Sequence, residues 1–377
     1  MLVIATSPDA IAPAGKVDSA LVQVLNCFAV SGSPVGVFSN REQPAWFAAA
    51  FGSSSKVVFV RLQGRQNGEA IQNIASRLKL PPSNIIVLAS KPEDVQMSKN
   101  GGAVLVAAGW STDPQIRALG IRVENPADFA KVVELSDAWD GTWWFAGNTS
   151  SYSVRVLADL STYGKSLTQA QFAAKTQHVA KQGGPGLTAL LTITMRSLLG
   201  DGLDATPTIW GVYPSSASDN DDKEILSDFT HRLRTTASRA HHAKRGAPLF
   251  IRHVRSPKRH AGGGGDRTDP SSQLDTIHVN SAYSQSIRGK HAIIVDDCAT
   301  YGVSFGVAAA LLRKAGARSV TGVALGKFGE QLRGYDIEII GDPFAPLQKS
   351  GYKVASYALL NGTRSASSQN RLVSLIP

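Results

Sequence analysis

His291-Ala-Ile-Ile-Val-Asp-Asp-Cys-Ala-Thr-Tyr-Gly-Val-Ser-Phe-Gly306 is the stretch on which the reading of this chain turns. Four apolar residues, Ala292 to Val295, run into two adjacent carboxylates, Asp296 and Asp297. A loop of small and hydroxyl-bearing residues follows, Cys298 to Ser304, and helical spacing then runs from Phe305 to Ala315. The order is a buried strand, an acidic tip, a Gly/Ser/Thr loop and a helix start. Backbone N–H groups at a helix N-terminus, together with hydroxyls, form a cradle for a phosphate monoester. Two carboxylates beside that cradle suit ribose hydroxyls, and a hard cation nearby suits the phosphates. Each part alone also fits a strand-to-helix turn with capping polar groups. The occurrence of all four in one order favours the phosphate reading.

Length and composition set the frame. A chain of 377 residues predicts two domains, and a hydrophobic content of 43% with many Gly, Ala and Val residues fits an α/β fold. No apolar run reaches the roughly 18 residues of a membrane span, and the N-terminal MLVIATSPDAIAP lacks the basic segment of a signal peptide. Membrane association is therefore not expected. Cys27 and Cys298 lie far apart and make neither a disulfide framework nor a metal cluster, which fits a reducing cytoplasm. Net charge is +10, and it is concentrated. Between Thr230 and Gly265 there is no Asp or Glu, whereas the stretch from Arg232 to Arg267 is rich in Arg, Lys and His. Such a run suits a polyanion, either a multiply charged phosphate or a nucleic acid.

At residues 293–304, IIVDDCATYGVS, the chain resembles the phosphoribosyl-pyrophosphate (PRPP) motif of type I phosphoribosyltransferases. That pattern is an apolar run, two acidic residues, two variable residues, then Thr-Thr-Gly-x-Thr. Here Tyr301 replaces the second small hydroxyl and Ser304 replaces the last Thr. The resemblance implies PRPP as ligand, Mg²⁺ as cofactor, and a base or nucleotide-like acceptor. It also implies Asp296 and Asp297 as the catalytic pair on the ribose hydroxyls, touching the metal only through ribose or water. Ala299, Thr300, Tyr301, Gly302, Val303 and Ser304 would cradle the 5-phosphate. The strand 209–213, IWGVY, leads into a pyrophosphate loop of Tyr213, Pro214, Ser215 and Ser216. The acidic run 219–222 is an unusual neighbour for pyrophosphate, because like charges repel.

Residues 248–254 predict a further strand, followed by a basic, glycine-rich loop near 255–275. In the family a mobile loop at this place closes over the reaction centre, which assigns Arg255, Lys258 and Arg259 to the leaving group. Strands are also expected at 274–279, 318–325 and 337–340. Residues 152–200 read as mostly helical, and the Ser-rich tail 363–370 as loosely ordered. The aromatic stretch and helices ahead of this sheet are similar to the ComF-like branch of the family.

Residues 1–135 alternate strands and helices, which predicts a parallel sheet with helices on both faces. In order and spacing this region resembles a haloacid-dehalogenase (HAD) type domain. The nucleophile place falls on Thr6, the second-strand hydroxyl on Ser39, and the metal-binding pair on Ala89-Ser90, with Asp94 as the remaining acid. That chemistry needs a carboxylate nucleophile and several carboxylates around one Mg²⁺, so the domain is expected to be inactive as a phosphatase. An ordinary Rossmannoid domain is the alternative. Either would bind, regulate or dimerise, and a homodimer is one expectation. Trp139, Trp143 and Trp144 follow, as an interface seal or a base-stacking platform.

The expected protein is thus α/β in two domains. Residues 1–135 form a HAD-like or Rossmannoid parallel sheet, and residues 136–377 a type I phosphoribosyltransferase fold. The expected function is phosphoribosyl transfer. A PRPP or nucleotide sensor without turnover, and a ComF-like module for single-stranded nucleic acid, are the alternatives. Fusions of this kind resemble architectures in bacterial stress-response gene clusters.

Overall fold

The computed structural model describes residues 1–53, 55–184, 186–203, 207–237, 245–256 and 266–375. It divides into two α/β units. The first runs from Met1 to Gly141 and includes later stretches beginning at Leu191 and His231; the second takes up the chain at Thr142.

The first unit is built on β1 (Val3–Thr6), β2 (Val35–Ser39), β3 (Val57–Arg61), β4 (Ile85–Ala89), β5 (Val104–Ala108) and β6 (Ile121–Val123). They form one parallel sheet in the order β3-β2-β1-β4-β5-β6. Every residue of β1, β4 and β5 is buried, as expected of central parallel strands covered on both faces. The helices Ser19–Val30, Glu69–Leu78 and Pro126–Ala138 connect or follow these strands. The strand order reverses between β1 and β4, so the carboxyl ends of those two strands border the crevice where such sheets take their ligands. The later stretches are tied in by side chains. Trp139 Nε1 donates to Ser197 Oγ at 2.8 Å, and Arg196 donates to the Ser83 carbonyl at 3.1 Å.

The second unit contains β7 (Phe145–Asn148), β8 (Ser153–Asp159), β9 (Thr208–Val212), β10 (Phe250–Arg252), β11 (Ile277–Val279), β12 (His291–Ala299), β13 (Ser319–Lys327), β14 (Arg333–Ile339), β15 (Tyr352–Leu359) and β16 (Gly362–Arg364). Its main sheet has the order β16-β7-β8-β13-β12-β9. The strands β8, β13, β12 and β9 are mutually parallel, and β7 and β16 close the other edge antiparallel. Two antiparallel ribbons, β10-β11 and β14-β15, stand apart from it. The helix Val303–Lys314 packs its Phe305, Val307, Leu311 and Leu312 into the core of this unit.

One expectation is refined here and one corrected. Residues 152–200 are mostly helical, in Leu167–Gln182 and Gly186–Gly200, but they open on β8, a central strand paired to both β7 and β13. Val156, Leu157 and Ala158 are buried in succession, so the period of two that marks a half-exposed strand is lost. The tail is also ordered. β16 pairs with β7, and the helix Ala366–Leu375 buries Ser368 and Leu372. Gln369 accepts from the Asp159 N–H at 2.8 Å and donates to the Asp159 carbonyl at 3.2 Å. Tertiary anchoring supplies what a Ser-rich composition lacks. Among the described residues no helix is long and apolar enough to cross a membrane.

Candidate functional site

The parallel strands of the second unit end along one edge of the sheet. β12 delivers Asp296 and Asp297 there, and β9 delivers the turn 213–216 beside them, with the Tyr213 N–H donating to the Val295 carbonyl at 2.9 Å. A cavity of about 430 Å³ opens at this edge. Tyr213, Pro214, Ser215, Ser216, Asp296, Asp297, Thr300 and Ser304 all line it. Two segments about 80 residues apart in sequence, 213–216 and 296–304, therefore meet at one place.

The loop after β12 is set by its backbone. Gly302 has φ +81°, and a Cβ there would lie 2.8 Å from the Arg333 carbonyl. It precedes the helix Val303–Lys314 with no side-chain cap on the first turn, which leaves the anion-attracting end of that helix unspent on a side chain. Ala299, Gly302 and Val303 are buried and Tyr301 is half-buried, so these residues can offer backbone rather than side-chain groups.

Electrostatics distinguish the two carboxylates. Burial, then the neighbouring Asp297 carboxylate, push the Asp296 carboxyl well above its ordinary range, and the Ser304 side chain partly offsets this by hydrogen bonding. The Asp297 N–H donates to Asp296 Oδ1 at 2.9 Å. Asp297 Oδ2 lies 3.9 Å from Lys181 Nζ. Burial and both carboxylates also push the Cys298 thiol upward, so it stays protonated and fills space rather than acting as a nucleophile.

Sequence reading missed several lining residues. Gln177 and Lys181 come from the helix Leu167–Gln182, one turn apart and so on one face. Arg252, Ser256, Arg267, Gln273 and Phe328 complete the wall. Arg252 is buried and donates to the carbonyls of Ser215 and Pro214, to Gln273 Oε1 at 3.0 Å and to Thr276 Oγ1 at 2.9 Å. Tyr213 Oη also donates to Gln273 Oε1, at 2.9 Å. Arg252 thus holds the 213–216 turn in shape.

Other expected residues fall elsewhere. Arg255 does not line the cavity; it faces Asp219 at 3.4 Å with both side chains exposed. Lys258 and Arg259 lie outside the described residues, as do the other residues of 257–265. None of residues 219–222 lines the cavity. Instead Asp221 pairs with Lys223 at 3.0 Å, Asp222 accepts from the Gly246 N–H, and Asn220 bonds both backbone groups of Arg252. The described part of the basic stretch is partly neutralised as well: Arg245 pairs with Asp228 at 2.7 Å. The rings of Trp139, Trp143 and Trp144 are all buried, so none offers a face for base stacking.

A pair of histidines lies in the support of this site. His253, just after β10, and His278, on β11, approach to 3.1 Å between their Nδ1 atoms. Burial, then His253, lowers the His278 pKa from its ordinary 6.5, with Asp342 opposing. A lowered folded-state value means that the fold binds fewer protons than the unfolded chain. The stabilisation is therefore full above pH 6.5 and is lost as the pH falls below it. Asp296 works in the opposite sense, gaining as the pH falls, so the readout is a difference between variants. The melting temperature is expected to drop between pH 7.5 and pH 5, and by less in His278→Gln. An equal drop in both would place the acid sensitivity elsewhere.

The β1–β4 crevice of the first unit is closed. Thr6, Ser7, Ser90 and Asp94 are buried. Asp94 Oδ2 accepts from Ser7 Oγ at 2.8 Å and from the N–H groups of Ser90 and Lys91 at 3.0 Å each. Asp94 Oδ1 faces Arg65 Nη2 at 3.0 Å, and Arg65 Nη1 donates to the Phe38 carbonyl at 2.8 Å. Burial pushes the Asp94 carboxyl up, with Arg65 and the three donors opposing. The Thr6 hydroxyl is spent on the Leu88 carbonyl.

No protein-family model matches the chain, and no curated protein matches it. It is similar to a solved structure described as a "putative HAD family hydrolase from Streptomyces avermitilis MA-4680", at 12% identity and a TM-score of 0.25, over 30% of this chain and 70% of that one.

Proposed function

We propose that the second unit is a type I phosphoribosyltransferase fold that binds PRPP with Mg²⁺ and transfers phosphoribose to a nitrogen of a base or nucleotide-like acceptor. The observation that carries this reading is the meeting of the Asp296-Asp297 pair, the 299–304 loop and the 213–216 turn around one cavity. The donor set suits a substrate-held cation. Among the described residues no group of three or more His, Cys, Asp or Glu forms a metal cage. A pair of carboxylates fits Mg²⁺, which keeps waters and takes phosphate oxygens as ligands. When bound, Mg²⁺ supplies charge neutralisation on the departing pyrophosphate.

The chain's own groups do the rest. The N–H groups of residues 299–304, with Thr300 and Ser304 Oγ, hold the 5-phosphate. Asp296 and Asp297 hold the ribose hydroxyls, directly or through water. The 213–216 turn, fixed by Arg252, faces the pyrophosphate. The bond from ribose C1 to the pyrophosphate oxygen breaks with its electron pair leaving on that oxygen. The acceptor nitrogen forms the new bond to C1, and its proton passes to Asp297. Fixed dipoles around the leaving charge lower this barrier without reorganising during the step.

The first unit is proposed as a HAD-like domain without phosphatase chemistry, its acid held by Arg65 rather than by a metal. A second reading, a PRPP sensor without turnover, draws on Lys181 standing 3.9 Å from Asp297, on the side from which an acceptor nitrogen would have to reach that carboxylate. Two measurements test these readings. Calorimetry with PRPP, with and without Mg²⁺, should show metal-dependent binding, and failure to bind sinks both. Pyrophosphate release with a panel of nucleobases separates transferase from sensor.

A further inference from the structure

We propose that His253 and His278 form a binding site for a divalent transition-metal ion of the Zn²⁺ or Cu²⁺ kind, which clamps the β10-β11 ribbon. The site is independent of the PRPP reading, because neither histidine lines the Asp296–Asp297 cavity.

The ribbon brings the two rings together by register. β10 and β11 run antiparallel, with Ile251 opposite His278. His253 lies two residues beyond Ile251, so its side chain leaves the ribbon on the same face. Its N–H donates to the Thr276 carbonyl at 3.1 Å, which continues the pairing past the end of β10. His253 and His278 are therefore diagonal neighbours across the two strands, a spacing that long and aromatic side chains bridge. Both are half-buried, so an ion can reach them from solvent. The opposite face carries Phe250, Arg252, Ile277 and Val279, all buried. The pair thus sits on the reverse of the ribbon from Arg252 and its bonds to the Pro214 and Ser215 carbonyls.

The spacing fits one ion. The two Nδ1 atoms are 3.1 Å apart and the ring planes are inclined at 42°. Two bonds of the usual zinc–imidazole length, about 2.0–2.1 Å, would span that 3.1 Å at an angle of about 100°. That angle lies between those of neighbouring ligands in square-planar and tetrahedral sites, the geometries of Cu²⁺ and Zn²⁺. Among the described residues neither ring has another hydrogen-bond partner. Without an ion the two facing nitrogens can share only one proton, and a second would set two cations against each other. A divalent ion uses both lone pairs at once. Imidazole suits Zn²⁺ and Cu²⁺, whereas Mg²⁺ and Ca²⁺ take oxygen. The Val279 N–H donates to the Pro343 carbonyl at 2.8 Å, which carries Asp342 alongside β11, and the Asp342 charge acts on His278. Among the described residues no third His, Cys, Asp or Glu joins the pair, so water completes the coordination.

Calorimetric titration of Zn²⁺ into the chelator-treated full chain tests this, at pH 7.5, above the ordinary imidazole pKa of about 6.5. One saturable site is expected, for which Mg²⁺ does not compete. Its affinity should fall at least about tenfold in His253→Gln and in His278→Gln. The sequence also holds the adjacent His241 and His242, so the titration is repeated in His241→Gln/His242→Gln, where the site should persist. With Cu²⁺ in that background, electron paramagnetic resonance should show two nitrogen ligands, and fewer once His253 or His278 is replaced. No binding by the full chain, or undiminished binding in the two single variants, would overturn the proposal and leave a plain imidazole–imidazole hydrogen bond. Binding lost with His241 and His242 alone would overturn it too, as an adventitious site. Should a single variant fail to fold by circular dichroism, Ile251→His decides. A third imidazole opposite His278 should tighten Zn²⁺ binding about tenfold, and unchanged affinity would place the ion elsewhere.

Discussion

Replacing Asp296 and Asp297 together with Asn is expected to abolish Mg²⁺-dependent PRPP binding, with affinity measured by calorimetry falling more than about 100-fold. A hydrogen bond to a charged group contributes about 1.5–3 kcal/mol. Two of them total about 3–6 kcal/mol, and each 1.4 kcal/mol is about a tenfold change. Asn keeps the size of the side chain and an oxygen that can accept from the backbone N–H of residue 297, as Asp296 Oδ1 does now. The strand tip should therefore keep its shape. Stability should hold or rise, because burial and the adjacent carboxylate make the ionised Asp296 costly in the folded chain. Lost binding with an unchanged or higher melting temperature is thus the diagnostic pair of results. Retained binding would remove the carboxylates from the site, and lost binding with a collapsed melt would show only a damaged fold.

The elements that carry this site were legible in the sequence because β12 is buried on both faces. Its run from Ala292 to Val295 is continuous and ends abruptly in two acids, a contrast that survives without any tertiary information. β9 could be read for the same reason, and with it the 213–216 turn. β8 could not: its buried run ran on into helix-forming sequence, and nothing local marks it as the strand beside β13. The wall residues were less visible still. Lys181 and Gln177 become neighbours of Asp297 only when their helix packs, and a helix face is anonymous until its partner is known. Arg252 did leave a signal, a lone cation between Phe250, Ile251 and His253 in an otherwise apolar strand. Read as part of a basic run it pointed to a polyanion, yet a charge placed in a buried strand needs partners, and the turn carbonyls are among those partners. In the first unit the buried acid near the strand ends is Asp94. Its counter-ion, Arg65, is 29 residues earlier on a short 3₁₀ turn, and sequence offers no rule that pairs them.

That pair gives the second large expected effect. Arg65→Leu should destabilise the first unit by about 3–5 kcal/mol, because it strands a buried carboxylate without its counter-charge. The Arg65 and Asp94 side chains are only 6% and 0% exposed, so solvent cannot screen the loss. Asp94→Leu should cost a similar amount, since it orphans the guanidinium together with the Ser7 hydroxyl and the Ser90 and Lys91 N–H groups. The double variant Arg65→Met/Asp94→Leu should lose much less than the sum, as apolar replacements of buried ion pairs commonly do. At about 2–4 °C per kcal/mol the single variants should melt on the order of 10 °C lower. Additive losses in the double variant would mean that the two residues act separately and that the pair is not what fills the crevice. Strong non-additivity would show that one internal cation now neutralises the acid at the strand ends. In that case Thr6→Asp, which adds a second carboxylate at the end of β1, should yield no hydrolysis of p-nitrophenyl phosphate with Mg²⁺, because Arg65 already neutralises Asp94 and the residues around it are buried.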